Sequence, residues 1–260
     1  MARLELQNIS KVYGTGESAV TALDDVSLTV DDSEFVSVLG PSGCGKSTLL
    51  RIIDGLLEPT SGTVAIDGTE VSGSGQDRGM VFQSFNLFPW RTVRKNIEFG
   101  LEVAGVSKKE RKQEAQKYID LVGLQDFGDS YPKELSGGMQ QRVGLARALA
   151  IDPEILLMDE PFGALDAQTR ELMQTELLKI WSENQKTSVF VTHDIEEAIF
   201  LSDRVVVLTD RPGRIHEIID VPFDRPRFGR DLKAEPKFGE LREHIWDLLF
   251  EDTEQPATVQ

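Results

Sequence analysis

A glycine-rich turn at residues 40–48 constrains the fold of this chain more than any other sequence feature. Its letters GPSGCGKST fit the pattern G-x-x-x-x-G-K-[ST]. An apolar run at residues 35–39 precedes the turn, and leucine and isoleucine recur at helical spacing through residues 47–57 after it. A strand, a tight turn and a helix in this order predict a loop that binds the phosphates of a nucleotide.

The chemistry of phosphate binding explains the residue types in this turn. Glycines let backbone N–H groups converge on an anion, and the N-terminus of the following helix adds unpaired donors and a positive dipole. Lys46 is expected to place its charge on the β- and γ-phosphates, and the Ser47 hydroxyl is a candidate ligand of Mg²⁺. The residues predicted to contact the nucleotide here are Gly40, Pro41, Ser42, Gly43, Cys44, Gly45, Lys46, Ser47 and Thr48.

Two acidic residues end a second apolar run. Residues 155–158 are wholly apolar, as expected of a parallel strand covered on both faces, and Asp159 and Glu160 follow them. Ligands of open α/β sheets bind at the carboxyl ends of the strands. We therefore expect Asp159 to approach the Mg²⁺ and Glu160 to polarise a water in line with the γ-phosphate. The alternative, two solvated acids at a strand end, is disfavoured by the phosphate loop upstream.

A serine and two glycines open a helix predicted at residues 136–150. Ser136 is a good N-cap, but Gly137 and Gly138 in the first turn each cost about 1 kcal/mol of helix stability relative to alanine. A flexible joint between loop and helix is one interpretation. A second anion-binding surface, where a Cβ would block a phosphate, is the other, and composition does not choose between them.

Strand-like and helix-like segments alternate along the chain, which predicts an α/β fold with a parallel sheet. The expected strands lie within residues 3–38 and at 63–67, 80–83, 155–158, 188–192 and 205–208, and the expected helices at 47–57, 107–122, 136–150, 171–181 and 195–201. Residues 84–150 are expected to form a helical insert within a domain spanning residues 1–220. Residues 221–260 are expected to form a short extension with one amphipathic helix and a polar tail.

Charge and composition exclude several classes of function. Asp plus Glu number 44 against 28 Lys plus Arg, and a net charge of −16 repels nucleic acid at long range. No apolar run approaches the roughly 20 residues of a membrane-crossing helix, and the N-terminus lacks the apolar core of a secretory signal, so we expect a cytoplasmic location. The single cysteine, Cys44, excludes an intrachain disulfide. We expect it to fill the loop, with a thiol pKa lowered by Lys46 and the helix N-terminus.

Taken together, these elements resemble an ATP-binding cassette (ABC) ATPase over residues 3–215. Residues 135–140, Leu-Ser-Gly-Gly-Met-Gln, resemble the signature motif of that family. The further matching positions are Gln83 in the Q-loop, Asp166 in the D-loop of residues 164–166, the switch histidine His193, and Tyr13, which matches the aromatic residue that stacks on adenine. Considered singly, Tyr13 could be an ordinary strand aromatic and His193 a structural histidine.

The resemblance implies a fold and a set of roles. The fold is a RecA-like P-loop NTPase with a parallel core, an N-terminal antiparallel β subdomain and a helical subdomain insert. Two copies, or one copy and a related cassette, form a head-to-tail dimer, and each ATP lies between the phosphate loop of one chain and Ser136 with Gly138 of the other. The implied catalytic roles are Glu160 as general base or water-positioning group, His193 at the γ-phosphate, Gln83 at Mg²⁺ and the attacking water, and Asp166 at the dimer seam.

Finer features resemble the importer branch that serves nitrate, sulfonate, taurine and similar small solutes. They are residues 86–93, 159–170 and 211–215. This resemblance implies membrane permease subunits as partners, an extracytoplasmic solute-binding protein as an indirect partner, and a location at the cytoplasmic face of the membrane. Residues 87–90 form an apolar segment that is expected either to border the groove for a permease helix or to pack inside the helical insert.

Three rival classes fit the sequence less well. A chromosome-maintenance cassette needs a long coiled-coil insertion, but only 89 residues separate Lys46 from Ser136. A translation-associated cassette protein carries two cassettes and basic surfaces. A P-loop kinase or GTPase lacks the signature motif and the switch histidine. An ABC ATPase of another transporter branch, or a non-transport ABC ATPase, stays open as an alternative.

Overall fold

The structure, a computed structural model, describes residues 2–84, 86–163 and 165–250. These residues fall into two compact units, of which the first contains residues up to 74 and from 187 onward, and the second contains residues 75–186. None of the helices within the described ranges is long and apolar enough to cross a membrane.

An antiparallel sheet occupies the N-terminal part of the first unit. Its strands are β1 (Leu4–Tyr13), β2 (Val20–Val30), β4 (Ser61–Ile66) and β5 (Thr69–Glu70), in the order β2-β1-β4-β5. Leu4 on β1 lies opposite Val30 on β2 and Ile66 on β4, and all three side chains are buried. This sheet confirms the antiparallel β subdomain that the family resemblance implies.

The same unit contains a largely parallel set of strands. Strand β3 (Phe35–Leu39) pairs in parallel with β8 (Thr187–Thr192) and with β9 (Arg204–Leu208). Every residue of β3 and β8 is buried, as expected for parallel strands covered on both faces. Strand β10 (Ile215–Asp220) pairs antiparallel to β9 and is absent from the sequence prediction. Only Ile219 of β10 is buried, so its apolar pattern is too weak to predict a strand.

The first helix is shorter than the sequence predicts. Helix α1 (Lys46–Ile53) ends before Leu57, the last residue of the predicted helical spacing. Gly55 has a φ of 75°, and a Cβ at this position would lie 2.0 Å from the carbonyl oxygen of Gly73. Because only glycine combines this backbone angle with so close an approach, the chain turns away from the helix here.

The described part of the second unit contains two parallel strands and four α-helices. The strands are β6 (Arg78–Val81) and β7 (Ile155–Asp159), and the helices are α2 (Val93–Val103), α3 (Lys108–Leu121), α4 (Gly137–Leu149) and α5 (Ala167–Asn184). Each helix begins after a polar N-cap whose side chain accepts a backbone N–H bond three residues on. Helix α5 begins four residues before the predicted residue 171 because Asp166 is its N-cap.

The C-terminal segment returns to the first unit. Helix α6 (Ile195–Leu201) has the predicted bounds, and helix α7 (Pro236–Phe250) carries the predicted apolar face. Phe238 and Ile245 of α7 are buried in one cluster with Ile199 of α6 and Ile219 of β10. The predicted polar tail, residues 251–260, lies outside the described residues.

Candidate functional site

The phosphate loop lies between β3 and α1 in the first unit, as predicted. Gly45 is the N-cap of α1 with a φ of 111°, and Gly43 has a φ of 84°, so both adopt backbone angles that other residues rarely adopt. The Lys46 side chain is 5% exposed, and its Nζ donates to the carbonyl oxygens of Gly40 at 2.7 Å and Pro41 at 2.9 Å. The lysine therefore reaches back across the loop, where its ammonium group can meet a phosphate.

The surroundings of Cys44 contradict the prediction that its thiol pKa is lowered. Cys44 is fully buried, and burial raises the pKa of its thiol, although Lys46 acts in the opposite direction. The Sγ atom lies 2.8 Å from where a Cβ on Gly40 would be. Cys44 thus fills the loop, as predicted, and desolvation of its thiol outweighs the charge of Lys46.

A C-terminal loop of the first unit supports the phosphate loop, a role that sequence analysis missed. Nε and Nη2 of Arg211 donate to the carbonyl oxygen of Gly43 at 3.2 and 3.0 Å. A Cβ on Gly213 would lie 2.1 Å from the carbonyl oxygen of Cys44, so the two backbones touch. The Arg-Pro-Gly-Arg segment, residues 211–214, stands out in the sequence only through the family resemblance. No local pattern indicates that this segment contacts the phosphate loop, almost 170 positions away.

Tyr13, at the end of β1, lies beside the phosphate loop. Its ring is 41% exposed, and its hydroxyl group lies 3.3 Å from the hydroxyl oxygen of Thr48 in α1. The Nζ of Lys11 lies 5.4 Å from the ring centroid. The fold thus places an exposed aromatic face next to a phosphate-binding loop, which suits stacking on a nucleotide base.

His193 follows directly on strand β8, and its side chain is exposed. The Thr192 hydroxyl accepts a bond from the backbone N–H of Asp194 at 3.0 Å and donates to the Glu197 carboxylate. Asp194 in turn caps α6 by accepting from the N–H of Glu197 at 3.0 Å. These bonds fix the backbone on both sides of the histidine.

The second unit brings together two of the predicted catalytic residues. Asp159, the last residue of β7, is 8% exposed, and Glu160 follows it with a φ of 42°. Left-handed backbone angles are uncommon for glutamate and are concentrated at functional sites. Nε2 of Gln83 lies 3.4 Å from Oε2 of Glu160, although the two residues are 77 positions apart.

The signature segment starts helix α4 in the second unit. Ser136 accepts from the N–H of Met139 at 3.3 Å, and both Ser136 and Gly137 are exposed. A Cβ on Gly137 would lie 3.6 Å from a methyl carbon of Leu165, which is ordinary van der Waals contact. A Cβ on Gly138 would meet Thr169 at 3.3 Å. The close approach of Thr169 therefore favours a glycine at position 138, whereas the space around position 137 would admit an alanine.

Asp166, the predicted D-loop residue, is exposed and caps α5. The side chain and the backbone N–H of Thr169 lower the pKa of this carboxyl group, so it stays ionised near neutral pH. Its Oδ1 lies 3.1 Å from the Thr169 nitrogen. Ala164 of the same predicted loop lies outside the described residues.

The predicted metal-binding residues have the chemistry that binding of Mg²⁺ requires. Magnesium is usually held by one or two carboxylates together with substrate phosphates and water, rather than by a cage of protein ligands. Within the described ranges no group of three or more His, Cys, Asp or Glu side chains could hold a metal ion. Ser47, in the first turn of α1 in the first unit, offers a hydroxyl oxygen, and Asp159, at the end of β7 in the second unit, offers a carboxylate, and both are oxygen donors of the kind that magnesium uses.

The segment that precedes α2 has one anchored and one exposed aromatic residue. The Phe88 ring packs 4.6 Å from that of Phe99, whereas Trp90 is 72% exposed. Asn96, which is fully buried, donates to the carbonyl oxygens of Phe88 at 3.2 Å and Arg91 at 3.0 Å. Sequence analysis missed Asn96, although a polar residue next to Ile97 on the apolar face of a helix is a recognisable signal.

Comparisons with known proteins agree with this architecture. The ABC transporter family matches residues 23–163 of the chain. An uncharacterised ABC transporter ATP-binding protein of Methanocaldococcus jannaschii is 56% identical over 247 residues, covering 95% of this chain and 91% of that protein. A nitrate import ATP-binding protein of Synechocystis sp. is 50% identical over 251 residues, covering 95% and 94%. A taurine import ATP-binding protein of Jannaschia sp. is 48% identical over 259 residues, covering 98% and 97%.

A solved structure supports the same conclusion. A dimeric ATP-binding cassette in a post-hydrolysis state, bound to ADP and Pi, matches with a TM-score of 0.74 and 38% sequence identity. The match covers 85% of this chain and all of the other. The predicted α/β fold and the resemblance of the chain to the ABC family are both confirmed. This chain therefore belongs to the ABC transporter family and is one of its ATP-binding subunits, an ABC-type ATPase.

Proposed function

We propose that this ATPase powers an importer of a small anionic or organic solute, such as nitrate, a sulfonate or taurine, by acting on a membrane permease at the cytoplasmic face of the membrane. The Gln83–Glu160 contact at the end of β7 carries the catalytic part of the proposal. The names of the nitrate and taurine import relatives support the transport part.

The first unit supplies the groups that bind the triphosphate. The phosphate loop surrounds the phosphates with N–H groups, Lys46 adds a positive charge, and Tyr13 stacks on the adenine. Ser47 from this unit and Asp159 and Gln83 from the second unit are the proposed ligands of Mg²⁺. When bound, that ion supplies positive charge to the β- and γ-phosphates.

The second unit supplies the group that activates water. Glu160 accepts a proton from the attacking water or orients it, and Gln83 holds the Glu160 carboxylate through its amide nitrogen. His193, which belongs to the first unit, contacts the γ-phosphate. A backbone angle of 42° at Glu160 aims the side chain away from the direction that an extended strand would give it.

A second copy of the chain completes the site in this proposal. Its Ser136, Gly137 and Gly138 approach the γ-phosphate from the opposite side, and its Asp166 lines the seam between the copies. ATP then favours the closed dimer because it makes contacts with both chains that only the closed state permits. Closure and reopening move the docked permease, which alternates the side of the membrane that its cavity faces.

Replacing Gly137 by alanine separates the dimer role of this residue from its role in folding. The methyl group has room within the chain, so we expect Gly137→Ala to leave stability unchanged or to raise it by up to about 1 kcal/mol. The same methyl group blocks the nucleotide of the second copy, so ATPase turnover should fall at least about ten-fold. Urea unfolding and a phosphate-release assay measure the two effects.

Gly239→Ala is the matched control for this substitution. Gly239 lies in α7, and a Cβ there would meet nothing within 4 Å. It should stabilise the helix similarly and leave turnover at the wild-type value. Wild-type turnover in Gly137→Ala would contradict the placement of this glycine against the nucleotide.

The exposed Trp90 is the proposed contact with the permease. Hydrogen bonds from Asn96 and the contact between the Phe88 and Phe99 rings anchor residues 88–91 to helix α2. Trp90 in this segment is 72% exposed. Trp90→Ala should weaken co-purification with the permease about ten-fold or more, because exposed aromatic anchors often dominate interfaces. ATP affinity should not change, because Trp90 is not among the residues that are proposed to contact the nucleotide or Mg²⁺.

Reconstitution with the cognate permease and binding protein tests transport and docking together. In proteoliposomes, the wild-type chain should hydrolyse ATP faster when the transported solute is present, and Trp90→Ala should lose this stimulation. Leu172→Ala, at a leucine that is 53% exposed on α5, is the control and should retain it. Absence of stimulation by nitrate, sulfonates and taurine in the wild-type complex would refute the proposed solute class, and unchanged co-purification of Trp90→Ala would refute the docking assignment.

A further inference from the structure

Helix α6, which begins two residues after His193, is held at its C-terminal end by the C-terminal segment. Nη2 of Arg225 donates to the carbonyl oxygen of Leu201 at 2.8 Å, and Nη1 of Arg227 donates to that of Ser202. These carbonyls are among those that a helix leaves without partners at its end. A helix of seven residues thus depends on side chains that come from residues 225–227.

The N-terminal end of α6 is held by a second set of contacts with the same segment. Glu196, in the first turn, lies 3.0 Å from Nζ of Lys233 and 3.3 Å from Nη1 of Arg242 on α7. We call these three residues the Glu196 cluster. The hydrogen bond and charge of Lys233, and then those of Arg242, lower the pKa of Glu196 against the opposing effect of desolvation, so the carboxylate is charged near neutral pH.

The first turn of α6 is tied to the backbone beside His193. Glu197, next to Glu196, accepts a hydrogen bond from the Thr192 hydroxyl and donates its N–H to Asp194. Because the Thr192 hydroxyl also accepts the Asp194 N–H, a displacement of the first turn shifts both neighbours of His193. This backbone network therefore contributes to the position from which the His193 side chain extends.

Helix α7 also lies close to His193 in space. His193, Arg242 and Trp246 line one groove of the first unit. Beneath this groove, Phe238 and Ile245 of α7 pack in the same buried cluster as Ile199 of α6. The C-terminal segment therefore contacts α6 through ion pairs on the surface and through apolar side chains below.

We propose that Lys233 and Arg242 are positioning residues for His193, acting through Glu196 and the first turn of α6. This inference rests on the proposed role of His193 at the γ-phosphate. The Glu196 cluster restrains the turn, and the turn keeps the imidazole in the orientation that hydrolysis requires. Binding of ATP depends on the phosphate loop and Tyr13, so the cluster affects the chemical step and not ATP affinity.

The double variant Lys233→Ala/Arg242→Ala tests the proposal in the full-length chain. The kcat for ATP should fall about two- to five-fold, the range that a partly exposed ion-pair cluster can supply, while KM stays within about two-fold. The variant Lys233→Arg/Arg242→Lys keeps both charges and should restore most of the kcat. Lys179→Ala removes a comparably exposed pair, Lys179–Glu176 at 2.9 Å on α5, and should change neither constant.

A double-mutant cycle with His193→Ala shows whether the effect passes through the histidine. In the His193→Ala background, removal of Lys233 and Arg242 should have no further effect on kcat. Equal losses in both backgrounds would overturn the inference, as would a joint fall of kcat and KM accompanied by a large drop in the unfolding midpoint. A wild-type kcat in His193→Ala alone would instead overturn the proposed role of His193, so the two failures are distinguishable.

Discussion

Glu160→Gln is expected to abolish turnover while preserving ATP binding, with hydrolysis reduced at least about 10²-fold. The substitution keeps the shape of the side chain and the backbone angle of 42°, and glutamine can still accept the hydrogen bond from Gln83 through its amide oxygen. It removes only the negative charge that accepts a proton from water. The neighbouring groups should therefore stay in place, and the variant should persist as a closed, ATP-bound dimer.

Single-turnover hydrolysis and size-exclusion chromatography with ATP measure these outcomes. Glu154→Gln is the matched control, because Glu154 is an exposed acid just before the other end of the same strand. It should show wild-type hydrolysis and no nucleotide-dependent dimer trapping. Hydrolysis by Glu160→Gln at the wild-type rate would show that Glu160 does not activate the attacking water.

Arg227→Ala is expected to cause the largest loss of stability among single substitutions in the C-terminal segment. Arg227 is 2% exposed, and it donates from Nε to Phe223 at 3.0 Å and from Nη1 to Ile199 and Phe200 at 3.3 and 3.4 Å. Alanine leaves these buried carbonyl oxygens without their donor and leaves a cavity. We expect the free energy of unfolding to fall by about 3–5 kcal/mol.

The charge of Arg227 persists despite its burial. Desolvation lowers the pKa of Arg227 to about 10, and Arg225 adds to this effect, while Asp203 opposes it from 3.5 Å. The guanidinium is therefore protonated at neutral pH, where the comparison is made. Arg227→Lys keeps the charge but not the planar set of donors, so it should recover only part of the loss.

Arg214→Ala is the control for this loss of stability. Arg214 forms an ion pair with Asp24, but its side chain is 61% exposed. Water replaces much of that interaction, so the free energy of unfolding should change by no more than about 1 kcal/mol. Urea unfolding of both variants at one pH measures the difference. Equal losses would show that burial of the guanidinium contributes nothing to its effect.

Most helices and strands could be predicted from the sequence, because the apolar patterns that indicate them are local. The strands β3, β7 and β8 are rich in apolar residues and fully buried, and α6 has the predicted bounds. The errors occur where distant residues decide the outcome. Helix α1 ends early because Gly55 meets Gly73, and β10 was missed because it is a largely exposed strand paired only with β9 among the described neighbours.

The candidate site shows the same division. The phosphate loop was predictable because its residues are contiguous and its chemistry depends on glycine, lysine and a hydroxyl group. The pKa of Cys44 was predicted in the wrong direction, because the sequence shows the nearby Lys46 but not the burial that outweighs it. Asn96 and Gly213 were missed because their importance lies in contacts that the fold creates.

The sequence alone determined that this chain binds a nucleotide and belongs to the ABC family, since short contiguous motifs carry that chemistry. Only the tertiary structure decided which side chains support those motifs: Arg211 against the phosphate loop, and Lys233 and Arg242 against the helix that follows His193. The physical reason is that hydrogen bonds and ion pairs depend on distance in space. Residues 46 positions apart, such as Glu196 and Arg242, become neighbours only when helices pack.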